Sequence, residues 1–392
     1  MHETRQAFID FFASLKLTVV LLALSIVLVF WATLAQVRLG IWGVQEEFFR
    51  TFFVLGRIPG TTIPVPLFPG GYFLGGLLLI NLITAHVYRF KLAWRKAGIH
   101  LTHAGLILLL VGELFTSLWQ EEYQLTLDEG QTKNYSESYR ESELVIIDTT
   151  HPDYDEVVAV PESRLRPGAE IHEPTLPFRV VVRDFYPNSA LGMRDQQTAA
   201  PPSPATLGLG PRLVATPLPL TYKQDERNLA TAFVELIGPE GSLGTWLVST
   251  QLVMAQTFDY AGRNWALTLR FARHYKPYAI TLLDFTHDVY AGTNIPKNFS
   301  SQVRIQTPGG NDDREVLIFM NNPLRYAGLT FYQAGYANEN RTTILQVVRN
   351  PTWTLPYIAC ALMSLGLLLQ FGQSLLAFAV KRRAQTAARS AR

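Results

Sequence analysis

The chain holds a single cysteine, Cys360, among 392 residues. A lone thiol excludes an internal disulfide, a CxxC redox pair and a cysteine-rich metal site, so any thiol chemistry belongs to partners. Charge is scarce too: 17% of residues are Asp, Glu, Lys or Arg, and the formal net charge is +2. No basic run is interleaved with aromatics, which sets a nucleic-acid partner aside. The sequence also lacks a GxSxG elbow, an HExxH helix, a Walker loop and a GxGxxG turn in dinucleotide context. It shows no internal repeat of fixed period.

What is present is apolar sequence, 48% of the chain, more than a soluble core of this size would absorb. It concentrates in four runs. Leu17 to Val37 is 21 residues without a charge, long enough at about 1.5 Å per residue to cross a hydrocarbon layer of about 30 Å. Glu3 and Asp10 precede it and no A-x-A site follows, so the expectation is an uncleaved span rather than a signal peptide. Gly71 to Tyr88 and Gly98 to Trp119 form a second and a third span, the latter with Glu113 as its one formal charge. The fourth lies inside the 31-residue uncharged run Asn350 to Val380.

Lysine and arginine collect in the turn Arg89, Lys91, Arg95, Lys96 and after the last span at Lys381, Arg382, Arg383. Basic loops stay on the cytoplasmic side. The expected organisation is therefore a cytoplasmic N-terminus at 1–16, spans at 17–37, 71–90, 98–119 and 351–380, and a cytoplasmic turn at 91–97. An outside loop at 38–70, an outside domain at 120–350 and a cytoplasmic tail at 381–392 complete it. The outside faces a periplasm or its equivalent, across the cell (inner) membrane.

In the first outside loop, Trp42, Phe48, Phe49, Phe52 and Phe53 surround Glu46, Glu47 and Arg50, the pattern of a short amphipathic helix on the bilayer surface. GRIPGTTIPVPLFPGG is then expected to break regular structure. In the outside domain, ELVIID, FRVVVRDF, TAFVELIG, NWALTLRFA, YAITLLDF, SQVRIQT, EVLIFM and TTILQVV carry strand signals separated by turns such as GPEGS and TPGGND. They predict an antiparallel, β-rich sandwich or barrel. Pro187 to Pro219, rich in Pro, Ala, Gly and Thr, reads as a long excursion or poorly ordered loop.

Histidine is the residue type that points to chemistry. His151, His172, His274 and His287 are scattered over the outside domain without ligand spacing and receive no role. Paired acids such as Glu121 and Glu122 belong on solvated turns. His86, in contrast, lies near the cytoplasmic end of the second span, and His100 and His103 open the third, three residues apart on one helical face. Ionisable groups in membrane helices pair, line cavities or bind ligands. Zinc would want more ligands than this hairpin offers. An axial contact to haem iron suits imidazole among apolar helices, although hydrogen bonding at the interface is the plainer alternative. For Glu113 the expectation is a carboxylate that reaches the interface.

Several segments resemble the ResB family, also called CcsB: FFASLKLTVVLLAL, NLITAHVYRFK, HLTHAGLILLLVGE running into EEYQLTLDEGQ, PYAITLLDF, GTNIPKNFSSQV and, most recognisably, NNPLRYAGLTFYQAGY. The likeness covers essentially the whole chain apart from the proline-rich excursion. It implies system II cytochrome c maturation, in which a ResB-like protein and a CcsA-type haem-handling membrane protein move haem b outward and attach it to the CxxCH motif of apocytochrome c. It also implies that a histidine of the ResB-like part is an axial ligand of that haem. His86 is the position that matches, with His103 second and His100 third. The chain lacks the tryptophan-rich segment and the paired outside histidines of the CcsA-type partner, so by itself it is not the synthetase. Two other readings stay open: an anchor whose β-domain binds apoprotein without haem, and a haem-binding electron carrier. Membrane histidines on one side only disfavour the carrier.

Overall fold

The computed structural model describes residues 2–58, 61, 63–88, 93–194, 202–223, 226–292, 296–337 and 341–390. Contacts divide the chain into two compact units, Met1–Glu121 with Asn350–Arg392, and Glu122–Arg349.

The first unit is helical. Helix α1, His2–Phe12, ends at a break where the Ser14 hydroxyl accepts from the Lys16 backbone N–H and caps α2, Leu15–Val44. Within α2, Gly40 takes φ 73°, a left-handed backbone that costs a side chain energy, and the helix bends there. A wide helical turn, Gln45–Phe49, follows. Instead of the expected irregular run, strands β1, Phe53–Arg57, and β2, Pro64–Pro69, pair as an antiparallel hairpin. Its prolines are tolerated because a two-stranded ribbon leaves each strand one free edge. Three more helices complete the unit: α3, Gly71–Tyr88; α4, Ala97–Trp119; and α5, Leu355–Ser390. Four helical stretches, Leu15–Phe49, Gly71–Tyr88, Trp94–Trp119 and Leu355–Thr386, are long and apolar enough to cross a membrane, by length and composition. This is the make-up of a membrane protein. Of the basic turn, Arg89 and Lys91 lie outside the described residues, while Arg95 and Lys96 form a short helical turn ahead of α4.

Two contacts organise the helices. Leu21, Leu28 and Ala32 of α2 pack with Leu74 of α3, Val44, Phe48 and Val54 into one buried cluster. Trp31 meets the Phe48 ring edge to face at 5.2 Å. On the other side α4 packs most extensively on α5. The seam is made by Gly98, Gly105 and Gly112, all buried and seven residues apart, the repeat that keeps one stripe of a helix against its partner. A Cβ on Gly98 would stand 2.7 Å from the Gly366 carbonyl oxygen, and one on Gly366 2.7 Å from the Gly98 oxygen. Backbones approach this closely only where both sides lack side chains. Thr116 and Thr352 hydroxyls close the seam at 2.8 Å.

The second unit is antiparallel β. Its strands are β3 Glu121–Asp128, β4 Thr132–Asp148, β5 Glu156–Pro161, β6 Glu170–Ile171, β7 Arg179–Tyr186 and β8 Ser189–Met193. Then come β9 Leu213–Pro217, β10 Thr231–Gly238, β11 Gly241–Ser249, β12 Gln256–Tyr260, β13 Arg263–Val289 and β14 Pro296–Gln306. The last four are β15 Asp313–Phe319, β16 Leu324–Tyr326, β17 Leu329–Ala337 and β18 Thr342–Arg349. One sheet runs β11-β10-β7-β6; the other runs β15-β14-β13-β4-β3-β18-β17-β16, with β12 on β13 and β5 on β4. The expected strands NWALTLRFA and YAITLLDF prove to be one continuous strand, β13. Pro277 is accommodated because the pairing with β4 shifts register between Tyr275 and Ile280, and a bulge needs no ladder N–H there.

Two apolar cores result. Leu144, Ile146 and Leu267 of the long sheet face Val180, Val182, Val234 and Trp246 of the short one, a sandwich. Further along β13, Ile280 and Leu282 join Leu125, Leu127, Val303, Ile318, Phe331, Leu345 and Val347. There β15 touches β16 and β17, so the sheet rolls into an open barrel. Between the cores β4 reads SESYRES, and Lys276 Nζ donates to Ser136 Oγ at 2.6 Å in this polar waist. In the excursion Pro187 to Pro219, β8 and β9 pair and Ala205 packs on Leu247; residues 195–201 lie outside the described residues.

Candidate functional site

The seam with α5 sets the rotation of α4, and the rotation decides where its histidines go. At about 100° per residue, His100 and His103 stand roughly 200° round the helix from Gly98 and Gly105 respectively, on the side away from α5. Helix α3 packs against α4 there and brings His86. The His86 and His100 rings meet at 5.2 Å between centroids with planes at 85°, and the His86 and His103 rings at 5.9 Å and 82°. All three are partly exposed. The structure thus brings together the three histidines singled out in the sequence.

Edge-to-face imidazoles at these separations touch. No tetrapyrrole plate fits between His86 and either neighbour. Among the described residues, no group of three or more His, Cys, Asp or Glu could hold a metal ion. Geometry therefore assigns the trio distinct places: one imidazole framed by two others. Glu113, ten residues beyond His103 and so roughly 15 Å further along α4, is exposed and stands apart from them.

One residue that sequence reasoning passed over supports this end of α3. Asn81 is buried. Its Nδ2 donates to the Phe12 carbonyl oxygen at 2.6 Å and to that of Ser14 at 3.2 Å, and its Oδ1 accepts from Thr18 Oγ1 at 2.6 Å. An amide within an otherwise apolar span was the available signal, because a buried polar group must find partners.

The histidines of the β unit stay apart and pack on rings. His274 stacks on Tyr123 at 4.8 Å, His151 on Tyr154 at 4.0 Å and His287 on Phe299 at 4.8 Å, while His172 Nε2 lies 3.4 Å from Glu170. The motif NNPLRYAGLTFYQAGY forms the β16–β17 hairpin. Ala327 and Gly328 both take positive φ, the two-residue turn whose twist matches its strands. Phe331 points into the barrel core and Tyr332 outward.

Residues 241–344 match the model of the ResB-like family. Protein NrfI of Wolinella succinogenes is 35% identical over 92 residues, a stretch that is 24% of this chain and 10% of NrfI. The family match lies wholly in the β unit, away from the histidine hairpin, so the two observations stand independently. Residues 241–344 are thus similar to the ResB-like family, and the chain spans about a tenth of the length of the curated relative that it matches.

Proposed function

We propose that this protein is a membrane subunit of a system II cytochrome c maturation complex, which exports haem b and attaches it to apocytochrome c together with a CcsA-type partner. The ResB-like segment supports cytochrome c biogenesis at the level of the family. The observation that carries the haem reading is the meeting of His86 with His100 and His103 at one end of α3 and α4. In this reading His86 is the axial ligand from this chain, and the partner supplies the opposite one. His103 and His100 orient the His86 ring or meet a haem propionate, as residues around a ligating histidine do. The basic residues Arg95, Lys96, Lys381, Arg382 and Arg383 support a reading in which this end, and both termini, face the cytoplasm. The β unit is then extracytoplasmic and serves as binding surface. The chain is no enzyme by itself; it completes one.

The test is the spectrum of the complex purified after co-expression with a CcsA-type protein. His86→Ala should abolish or strongly shift the haem bands, and added imidazole should restore much of them by filling the vacated position. His100→Ala should do less. An unchanged spectrum with normal cytochrome c maturation in His86→Ala would overturn the assignment and move it to His103.

A further inference from the structure

Helix α1 has three faces. At about 100° per residue, Gln6, Ile9 and Phe12 share one flank, Phe8 and Phe11 a second and Asp10 a third, centred about 120° apart. The first flank belongs to α3. Gln6 Nε2 donates to the Tyr88 hydroxyl, and Asn81 takes the carbonyls of Phe12 and Ser14. The second is largely uncovered among the described residues: Phe8 is 65% and Phe11 57% exposed. Their rings are nonetheless set in place, each against Phe12, at 4.7 and 5.2 Å. Asp10 on the third face is exposed.

What covers the phenylalanines follows from continuity. After two intervening residues, Ala13 and Ser14, α2 begins at Leu15 and runs as a stretch long and apolar enough to cross a membrane. The C-terminal end of α1 therefore stands at the mouth of a span. A short helix there with an apolar face, a charged face and modest overall hydrophobicity fits the boundary between lipid headgroups and acyl chains.

We propose that α1 lies in that boundary with Phe8 and Phe11 inserted and Asp10 in water, and that the Asn81 clasp passes this fixed depth to the last turns of α3, which carry His86. The proposal rests on the membrane reading of the helices and not on haem ligation, so it stands or falls separately from the spectrum of His86→Ala.

Nitroxide labels decide it. In a Cys360→Ser background, Phe8→Cys, Asp10→Cys and Phe11→Cys are labelled one at a time in the full chain, reconstituted in phosphatidylcholine–phosphatidylglycerol vesicles. Labels at 8 and 11 should collide severalfold more with oxygen than with a water-soluble nickel chelate, and the label at 10 the reverse. Equal nickel collision at all three positions would put α1 in water. Shielding of 8 and 11 from both reagents would mean that protein, such as a second copy, covers them. Either result overturns the proposal. For the clasp, a label at Ala85→Cys should be motionally restricted and should gain mobility in Asn81→Ala, checked for folding by gel filtration. A restricted label in folded Asn81→Ala removes the coupling to α3. Should Asn81→Ala not fold, Asn81→Asp, which keeps the acceptor and loses both donations, replaces it with the same expected gain.

Discussion

Gly105 of α4 lies so close to Ala359 of α5 that a Cβ on the glycine would stand 2.8 Å from the Ala359 carbonyl oxygen and 2.6 Å from Met363 Cγ. Contact that close rests on dispersion between backbones. Gly105→Leu should therefore force the helices apart, at a cost of at least the 1–3 kcal/mol or so typical of overpacking, and turn the histidine face of α4 away from α3. Thermal unfolding of the detergent-solubilised protein should show a lowered Tm. An unchanged Tm would mean that the seam carries no stability.

The orientation rests on lysine and arginine asymmetry and is open to labelling. In a Cys360→Ser background, a cysteine at Arg95 should be shielded from an impermeant thiol reagent in intact cells, whereas one at Gly309, in the turn between β14 and β15, should react. The opposite pattern would invert the proposed topology.

Neighbours on β17 should behave differently. Phe331 is fully buried in the barrel core, so Phe331→Ala should lower stability by about 3–5 kcal/mol. Tyr332, 38% exposed, contributes little to that core; Tyr332→Ala should leave the fold intact and weaken co-purification with the CcsA-type partner. Intact fold with full co-purification would remove Tyr332 from the binding surface.

Burial pushes the Lys276 ammonium down to about 8, from an ordinary lysine near 10.5. An amine whose folded pKa lies below its unfolded one opposes folding while it is charged, so stability should rise as pH climbs from about 8 towards 10.5. Lys276→Met should be more stable than the parent below pH 8, by a few degrees in Tm at about 2–4 °C per kcal/mol for a domain of this size. The advantage should shrink as pH rises through that window. Parallel Tm curves for the two proteins across it would show that the amine is not buried.

The four apolar helices and the antiparallel character of the β unit were legible in the sequence, because each depends on composition within a short window: an uncharged run long enough to span, or a β-branched run bounded by Gly, Pro and Asn. The hairpin at Phe53 to Pro69 was not, since its prolines argue against a strand until the free edges of a two-stranded ribbon admit them. Nor was the fusion of two strand signals into β13, which depends on the register of β4 opposite Pro277. Three histidines clustered in sequence invited a site, but spacing alone showed only that His100 and His103 share a face of α4. Whether that face meets His86 turns on the rotation of α4, and its glycines packed against Gly366, Ala359 and Leu355 of α5, more than 200 residues further along the chain, set that rotation. The Asn81 clasp is of the same kind: an amide seeks partners wherever it is buried, and only the tertiary structure decides that they are the carbonyls of Phe12 and Ser14.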